Sequence, residues 1–452
     1  MQVSVETVAG LERKVRVSVP ADQFESRIDT RLREAARTVR LDGFRTGKVP
    51  LKEVRRRFGD GVRHEVANEL MQSSFVEAVT QENLHPAGAP SLEVVNLNAG
   101  RDLEYTATFE VFPEVGLKPF SEIGVERPNA EVVASDVERA IERLREQHRE
   151  WVPEEGRAAE SGDRINIDFE GTVDGEGFEG NEASDFTLFL GAGRMVAGFE
   201  EGLIGLCAGS ETTLEIDFPD DYGNETLAGK RAEFRVKVNE VAGPRLPDLD
   251  EAFLTTLGIE EGGEERLREQ VKQGLERELA TATKAQIKQQ VLDGLAELHD
   301  FPLPEALIAS EVNGLRNNFL RQLAMGGSGE LNPTQFPDDM FRPEAERRVK
   351  VGLIVHSIVE SRELSADPER VRQMVEELAS SYEQPEQVVN WYYNNEEQLG
   401  QIRSMVLEEQ VVETVLAEAA LTDVDQSYEE VMHRGHEHAD EESDGESPDS
   451  GD

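Results

Sequence analysis

GDRINIDFEGTVDGEGFEGNEASDFTLFLGAGRMVAGFEEGLIGLCAGSETTLEIDFPDDYGNETLAGKRAEFRVKVNEV, residues 162–241, carries the strongest fold signal in this chain. Three runs in it alternate apolar with polar residues: Ile165, Ile167 and Phe169; Leu214, Ile216 and Phe218; Phe234, Val236 and Val238. Period two marks strands with one buried face, and the glycines between the runs mark turns. A compact β-rich domain is expected from about Gly162 to Val241. The Gly191-Ala192-Gly193 step within it has the wrong onward spacing for a dinucleotide fingerprint.

Upstream, residues 1 to about 112 read as an α+β unit. Strand-like stretches at Gln2–Val8 and Leu11–Val19 come first, and a helix over Ala21–Val39 follows, with Phe24, Ile28, Leu32, Ala35 and Val39 at helical spacing. A second helix carries Val62, Val66, Leu70, Phe75 and Val79, and the alternation of Leu103–Val111 closes the unit as a strand. Pro113, Pro119 and Pro128 punctuate a connector, after which a charged helix is expected at about Ser135–Glu150. From Pro247 the chain reads as helical. One stripe runs through Leu267, Val271, Leu275 and Leu279 and continues through Ile287, Val291, Leu295 and Leu298. From about Tyr428 the residues are chiefly Asp, Glu, Ser and Gly, and disorder is expected.

At 452 residues, two to four domains are expected. A charged fraction of 31% against 38% hydrophobic points to an elongated or multi-lobed molecule with much exposed surface. The formal net charge of -46 argues against general nucleic-acid binding, because polyphosphate would be repelled. With Cys207 alone, no intrachain disulfide can form. Neither a secretory signal nor a bilayer-length apolar run is visible, so a cytoplasmic protein is expected. The short tract His433-Arg434-Gly435-His436-Glu437-His438 sits in the acidic tail, and no physiological metal site is expected there.

Gly43-Phe44-Arg45-Thr46-Gly47-Lys48-Val49-Pro50 departs from this acidic background. Residues 1–60 hold 14 Lys and Arg against 9 Asp and Glu, an excess of five opposite in sign to the whole chain. A phosphate-binding P-loop needs four residues between its glycines and Ser or Thr after the Lys; here three intervene and Val49 follows Lys48. From the residues alone, this is a helix–helix connection with solvated charges.

GFRTGKVP nevertheless resembles the ribosome-binding signature of trigger factors, GFRxGKxP, at every fixed position. The resemblance implies that Phe44, Arg45 and Lys48 form a tip that docks beside the nascent-chain exit of the large ribosomal subunit. Arg45 and Lys48 suit phosphate or acidic surfaces, and Phe44 an apolar recess. Gly43 and Gly47 permit sharp turns, and Pro50 stiffens the exit.

Residues 162–241 resemble FKBP-type prolyl isomerases throughout, through IDFEGTVDGEGF, LGAGRMVAGFEEGLIG, FPDDYG and AEFRVKV. Isomerisation must overcome amide resonance, a barrier of about 18–20 kcal/mol. An apolar pocket that favours the twisted amide lowers it without nucleophile, metal or cofactor. Carried over by position, the walls are Phe169, Phe178, Phe186, Val196, Phe199, Tyr222 and Phe234, with Asp168 and Glu179 as further candidates. Phe169 and Phe234 are equally explained as barrel core. The segment after Tyr222 is shorter than the flap of single-domain FKBPs, as in trigger factors, which bears on macrolide binding more than on catalysis.

LPDLDEAF (246–253), FPLPEALIASEV (301–312), AERRVKVGLIVHSIV (345–359) and YEQPEQVVNWYYNNEEQL (382–399) resemble the C-terminal chaperone body of trigger factors. The implied architecture is multidomain α+β and elongated. It comprises a ribosome-binding domain (1–112), a linker and helix (113–150), an FKBP-like isomerase domain (151–245), an all-helical chaperone body (246–430) and an acidic tail (431–452). The implied function is a ribosome-associated chaperone that keeps nascent chains open for folding or export and isomerises prolyl bonds. Its implied partners are the large ribosomal subunit and unfolded polypeptides, with no membrane, and it would form a homodimer when free. The alternative is a ribosome-independent isomerase whose helical arms position substrate; an exported holdase and a scaffold fit GFRTGKVP and the isomerase match less well.

Overall fold

The computed structural model describes residues 1–40, 44, 49–173, 175–178, 180–219, 222, 224, 227–259, 261–325, 336–380, 382 and 384–433. The chain forms two compact units, Met1–Asn129 with Thr283–Asp425, and Ala130–Ala282 with Gln426–Met432.

The N-terminal strands β1 (Gln2–Ala9) and β2 (Glu12–Val19) form a hairpin whose turn places Gly10 at φ 50°. Glycine suits that left-handed conformation because it has no Cβ to clash. Helices α1 (Ala21–Thr38) and α2 (Leu51–Gln81) follow, then β3 (Ser91–Asn96) and β4 (Leu103–Glu110). The antiparallel sheet runs β1-β2-β4-β3. Phe24, Ile28 and Leu32 of α1 recur every four residues, so they share one helix face. They pack with Val66, Leu70 and Phe75 of α2 onto Val15, Val17, Leu103 and Tyr105 of the sheet. Strand β3 was not expected: Val94 and Val95 are both exposed on it, so it shows no apolar alternation.

The connector contributes β5 (Gly124–Asn129), and Phe120, Ile123 and Val125 are buried rather than linking loosely. Next come α3 (Ala134–Gln147), β6 (Glu150–Pro153), β7 (Arg164–Val173), β8 (Glu182–Phe189), α4 (Phe199–Leu203), β9 (Glu211–Asp217) and β10 (Arg231–Arg245). The 15-residue β10 pairs with β7 on one side, and with β9 and then β6 on the other; β8 lies beyond β7. Short α4 covers the sheet. A Cβ at Gly202 would come within 2.6 Å of Leu214 Cδ2, so at this approach any larger residue would displace that side chain.

Helices α5 (Glu251–Thr256), α6 (Gly263–Leu298), α7 (Glu305–Met325), α8 (Asp338–Ser361), α9 (Pro368–Ala379), α10 (Pro385–Asn394) and α11 (Glu396–Leu416) follow, then β11 (Ala420–Asp425). The continuous stripe of α6 serves two cores. Leu267, Leu275 and Leu279 pack with Val137 and Ile141 of α3, Leu254 of α5, Tyr428 and Val431. Val291 and Leu295 pack instead with Ile354, Ile358, Val411, Val415 and Phe120.

Two expectations are amended. The C-terminal body is not wholly helical, because β11 pairs in parallel with β5, Ala420 opposite Gly124 through Asp425 opposite Asn129. Nor does order stop at Tyr428. A helical turn continues to His433, with Tyr428 and Val431 buried and the Tyr428 hydroxyl donating to Glu278 Oε2 at 3.0 Å. Two apolar side chains three residues apart suffice to seat it on one helix face. Residues 434–452, including most of the histidine tract, lie outside the described residues.

Candidate active site

The aromatic residues expected to form the isomerase walls come together as one network. The Phe169 ring centroid lies 5.6 Å from Phe186, 5.9 Å from Phe199 and 6.1 Å from Phe234, each edge to face. Phe199 and Phe234 are 5.3 Å apart at 88°, and Phe178 stands 6.1 Å from Phe234. Such edge-to-face pairs match the ring quadrupoles and fix orientation. Phe199 and Phe234 are buried, while Phe169, Phe178, Phe186 and Val196 are half-buried against the same core. Tyr222 is 38% exposed and reaches the group through Phe218, whose ring is 4.7 Å away and which also meets Phe178. Phe218 was read only as strand core. Its place in FPDDYG was the available signal.

Backbone devices aim these rings. At Gly171 a Cβ would fall 2.5 Å from Phe234 Cε1, so only glycine lets that ring lie against β7. Gly198, at φ 89°, turns the chain into α4 and so delivers Phe199. The loop before it is tied down by Glu200. This buried carboxylate accepts the backbone N–H groups of Gly191 and Gly193 on Oε2 and of Arg194 and Met195 on Oε1, at 2.8–3.2 Å. Burial pushes the Glu200 carboxyl up, but the four N–H donors together outweigh it and hold it below its ordinary value. Glu200 went unnoticed in the sequence, where an acid in a first helical turn looks merely solvated.

Asp168 does not join the wall. It alternates with Ile167 and Phe169 and occupies the opposite face of β7. There it lines a shallow groove with Glu170, Ser184, Arg235 and Lys237. Its Oδ1 accepts the backbone N–H of Asp185 and the amide of Asn239, both at 2.8 Å; these bonds, in that order, lower its pKa. Glu179 lies outside the described residues.

At the loop, Phe44 is 42% exposed, Val49 is buried, and the Pro50 carbonyl accepts the N–H of Glu53 as α2 begins. Gly43, Arg45, Thr46, Gly47 and Lys48 lie outside the described residues. The basic surroundings are partly neutralised: Arg31 pairs with Glu65 and Glu69, Arg55 with Asp29, and Arg56 with Glu53. Arg27, Arg33, Arg37, Arg40, Lys52 and Arg57 form no ion pair with a described residue.

Three family models match in order. Residues 1–144 fit "Bacterial trigger factor protein (TF)", residues 155–239 fit "FKBP-type peptidyl-prolyl cis-trans isomerase", and residues 265–417 fit the trigger factor C-terminus. Curated trigger factors are similar over nearly the whole chain. That of Alcanivorax borkumensis is 46% identical over 432 residues, covering 96% of this chain and 98% of the relative. The chain belongs to the bacterial trigger factor family. The trigger factor of Thioalkalivibrio sulfidiphilus is 47% identical over 441 residues, covering 98% and 100%, and that of Pseudomonas fluorescens strain Pf0-1 is 48% identical over 432 residues, covering 96% and 98%. A solved trigger factor structure, from work on promiscuous substrate recognition in folding and assembly, covers 92% of this chain and 100% of its own with a TM-score of 0.52; at 20% identity it shows the fold alone. As a trigger factor, the chain is a ribosome-associated chaperone of nascent polypeptides with an FKBP-type peptidyl-prolyl cis-trans isomerase domain. Among the described residues, no helix is long and apolar enough to cross a membrane.

Proposed function

We propose that Phe169, Phe178, Phe186, Val196, Phe199, Tyr222 and Phe234 bind the prolyl residue, and that their apolar enclosure favours the twisted amide over the planar one. The observation that carries this is the shared edge-to-face network around Phe169 and Phe234. Removing hydration from the amide destabilises its polar planar resonance form relative to the twisted state. We further assign docking to Gly43, Phe44, Arg45, Gly47, Lys48 and Pro50, which would meet the large ribosomal subunit beside the nascent-chain exit. An exposed Phe44 ahead of a chain end anchored by Val49 supports this. Changing Phe44, Arg45 and Lys48 together to Ala should abolish co-sedimentation with ribosomes at several salt concentrations; unchanged pelleting would refute the assignment.

The working parts run as residues 1–112 for docking, 151–245 for isomerisation and 246–430 for holding clients, with 113–150 as connector and 431–452 as an acidic tail. Helix α10 has no buried residue, and Trp391 and Tyr393 on it and nearby Tyr382 are 52%, 47% and 61% exposed. Rigid aromatics exposed in this way offer adaptable apolar contact to unfolded segments. The chain works in the cytoplasm, partly on ribosomes, keeps clients competent for folding or export, and serves cell division through those clients. Off the ribosome it pairs as a homodimer.

A further inference from the structure

Ala183 and Phe186 of β8 lie opposite Phe169 and Ile167 of β7, two residues of one inward face. Yet Ala183 and Phe186 are three residues apart. In a regular strand an odd separation puts side chains on opposite faces. A bulge resolves this: Ser184 and Asp185 together stand opposite the single residue Asp168, and Asp185 takes φ 54°. That conformation is uncommon for a residue with a Cβ, and something must hold it. On the other side of β7, a second bulge leaves Asn239 of β10 as the extra residue between Val238, opposite Ile167, and Glu240, opposite Asn166. Both bulges converge on one atom. Asp168 Oδ1 accepts the Asp185 backbone N–H and the Asn239 side-chain N–H, and Asn239 also donates to Asn166 Oδ1 at 3.0 Å.

We propose that Asp168 is a positioning residue for prolyl isomerisation: from the outer face of the sheet its carboxylate clamps the β8 bulge and so turns Phe186 inward against Phe169. Bulges re-aim side chains beside active sites in this manner. The bulge N–H has left the strand ladder, and the clamp supplies its acceptor. Lys237, paired directly across from Asp168 on β10, adds a cation beside the carboxylate without bonding the bulge. Asp168 touches no substrate in this scheme and acts only through Phe186. The inference rests on the reading that Phe186 walls the prolyl site.

The test uses the full chain, an Xaa-Pro peptide isomerisation assay giving kcat and KM separately, and amide exchange of residues 182–189. Asp168→Ala should lower kcat/KM about tenfold, chiefly by raising KM as the wall loosens, and should speed exchange at Asp185 while exchange in residues 1–40 is unchanged. Asp168→Asn keeps an Oδ1 that accepts the same two bonds, so it should recover to within about threefold of the starting protein. Adding Asp185→Gly to Asp168→Ala should recover part of the loss, because glycine adopts positive φ without strain. Phe186→Ala serves as the control. If it loses tenfold while Asp168→Ala stays within twofold, or if Asp168→Asn is as impaired as Asp168→Ala, the clamp is refuted and the wall stands. If Phe186→Ala leaves kcat/KM unchanged, the wall reading itself fails and takes the clamp with it.

Discussion

At Gly171 a hydrogen atom is all that fits, because Phe234 Cε1 occupies the place where a Cβ would stand. Gly171→Ala must push that ring away, and with it the contacts Phe234 makes to Phe169, Phe178 and Phe199. A drop of about tenfold in kcat/KM is expected, equivalent to about 1.4 kcal/mol; an unaltered rate in the peptide assay would show that the ring is not needed where it lies. Glu200 makes a prediction about pH. Its folded pKa is lowered, so its contribution to stability is present above the unfolded value of about 4.3 and is lost as pH falls through the folded value. Urea midpoints followed by amide exchange over residues 190–205 should fall between about pH 5 and pH 3. With Glu200→Gln that dependence should flatten, at a lower overall midpoint. Of these residues, the aromatics were named from the sequence because the FKBP resemblance carries their positions over. Gly171 and Glu200 were not, since what singles them out is a neighbour 63 positions away (171 to 234) in one case and a fold-back of four amides in the other.

The two-stranded pairing of β5 with β11 joins segments some 296 residues apart, reinforced by Arg127 on Asp423 at 2.6 and 3.0 Å and Asn129 on Asp425 at 2.9 Å. The Ala420 N–H bonds the Ile123 carbonyl, so period two assigns the next inward donor to Thr422. Thr422→Pro removes that donor, whereas Leu421→Pro removes one facing away. Amide exchange over Gly124–Asn129 should accelerate strongly in the first variant and little in the second; equal effects would mean that the ladder does not hold the connector. Neither strand announced itself. Pro128 lies within β5, and Thr422, Asp423 and Asp425 give β11 a polar composition; both strands are short and mostly exposed, so burial wrote no alternation into them. The long amphipathic helices were legible for the opposite reason, since a buried face repeats over many turns.

Each unit has a core of its own, and the C-terminal residues serve both: Ala420–Asp425 belongs to one and Gln426–Met432 to the other. A truncation at Pro247 is therefore a poor separation of isomerase from chaperone body. It would strip Leu254, Leu267, Leu275 and Leu279 from Val137 and Ile141 within the isomerase's own unit. Point changes on the full chain separate the functions better. Tyr382, Trp391 and Tyr393 changed together to Ser should weaken suppression of client aggregation several-fold while leaving peptide isomerisation within twofold, because these exposed side chains contribute little to any core. Full suppression in that variant would move client holding elsewhere. The net charge of -46 opposes self-association of a molecule with such apolar display through mutual repulsion.

The sequence by itself determined the order of the parts: alternation wrote β7, β9 and β10 but not β6 or β8, helical spacing wrote the long helices, and GFRTGKVP stood out as a basic island in an acidic chain, while the identity of each part came from family resemblance. These signals are local or periodic, and a face that is buried throughout an element leaves its period in the composition. Tertiary structure alone decided that one stripe on α6 feeds two cores, that β11 closes on β5, and that the Asp168 carboxylate is held at once by the Asp185 backbone of β8 and the Asn239 side chain of β10. Each of those depends on which distant segment lies opposite, and partner choice across hundreds of residues is set by packing and register, which no local pattern encodes.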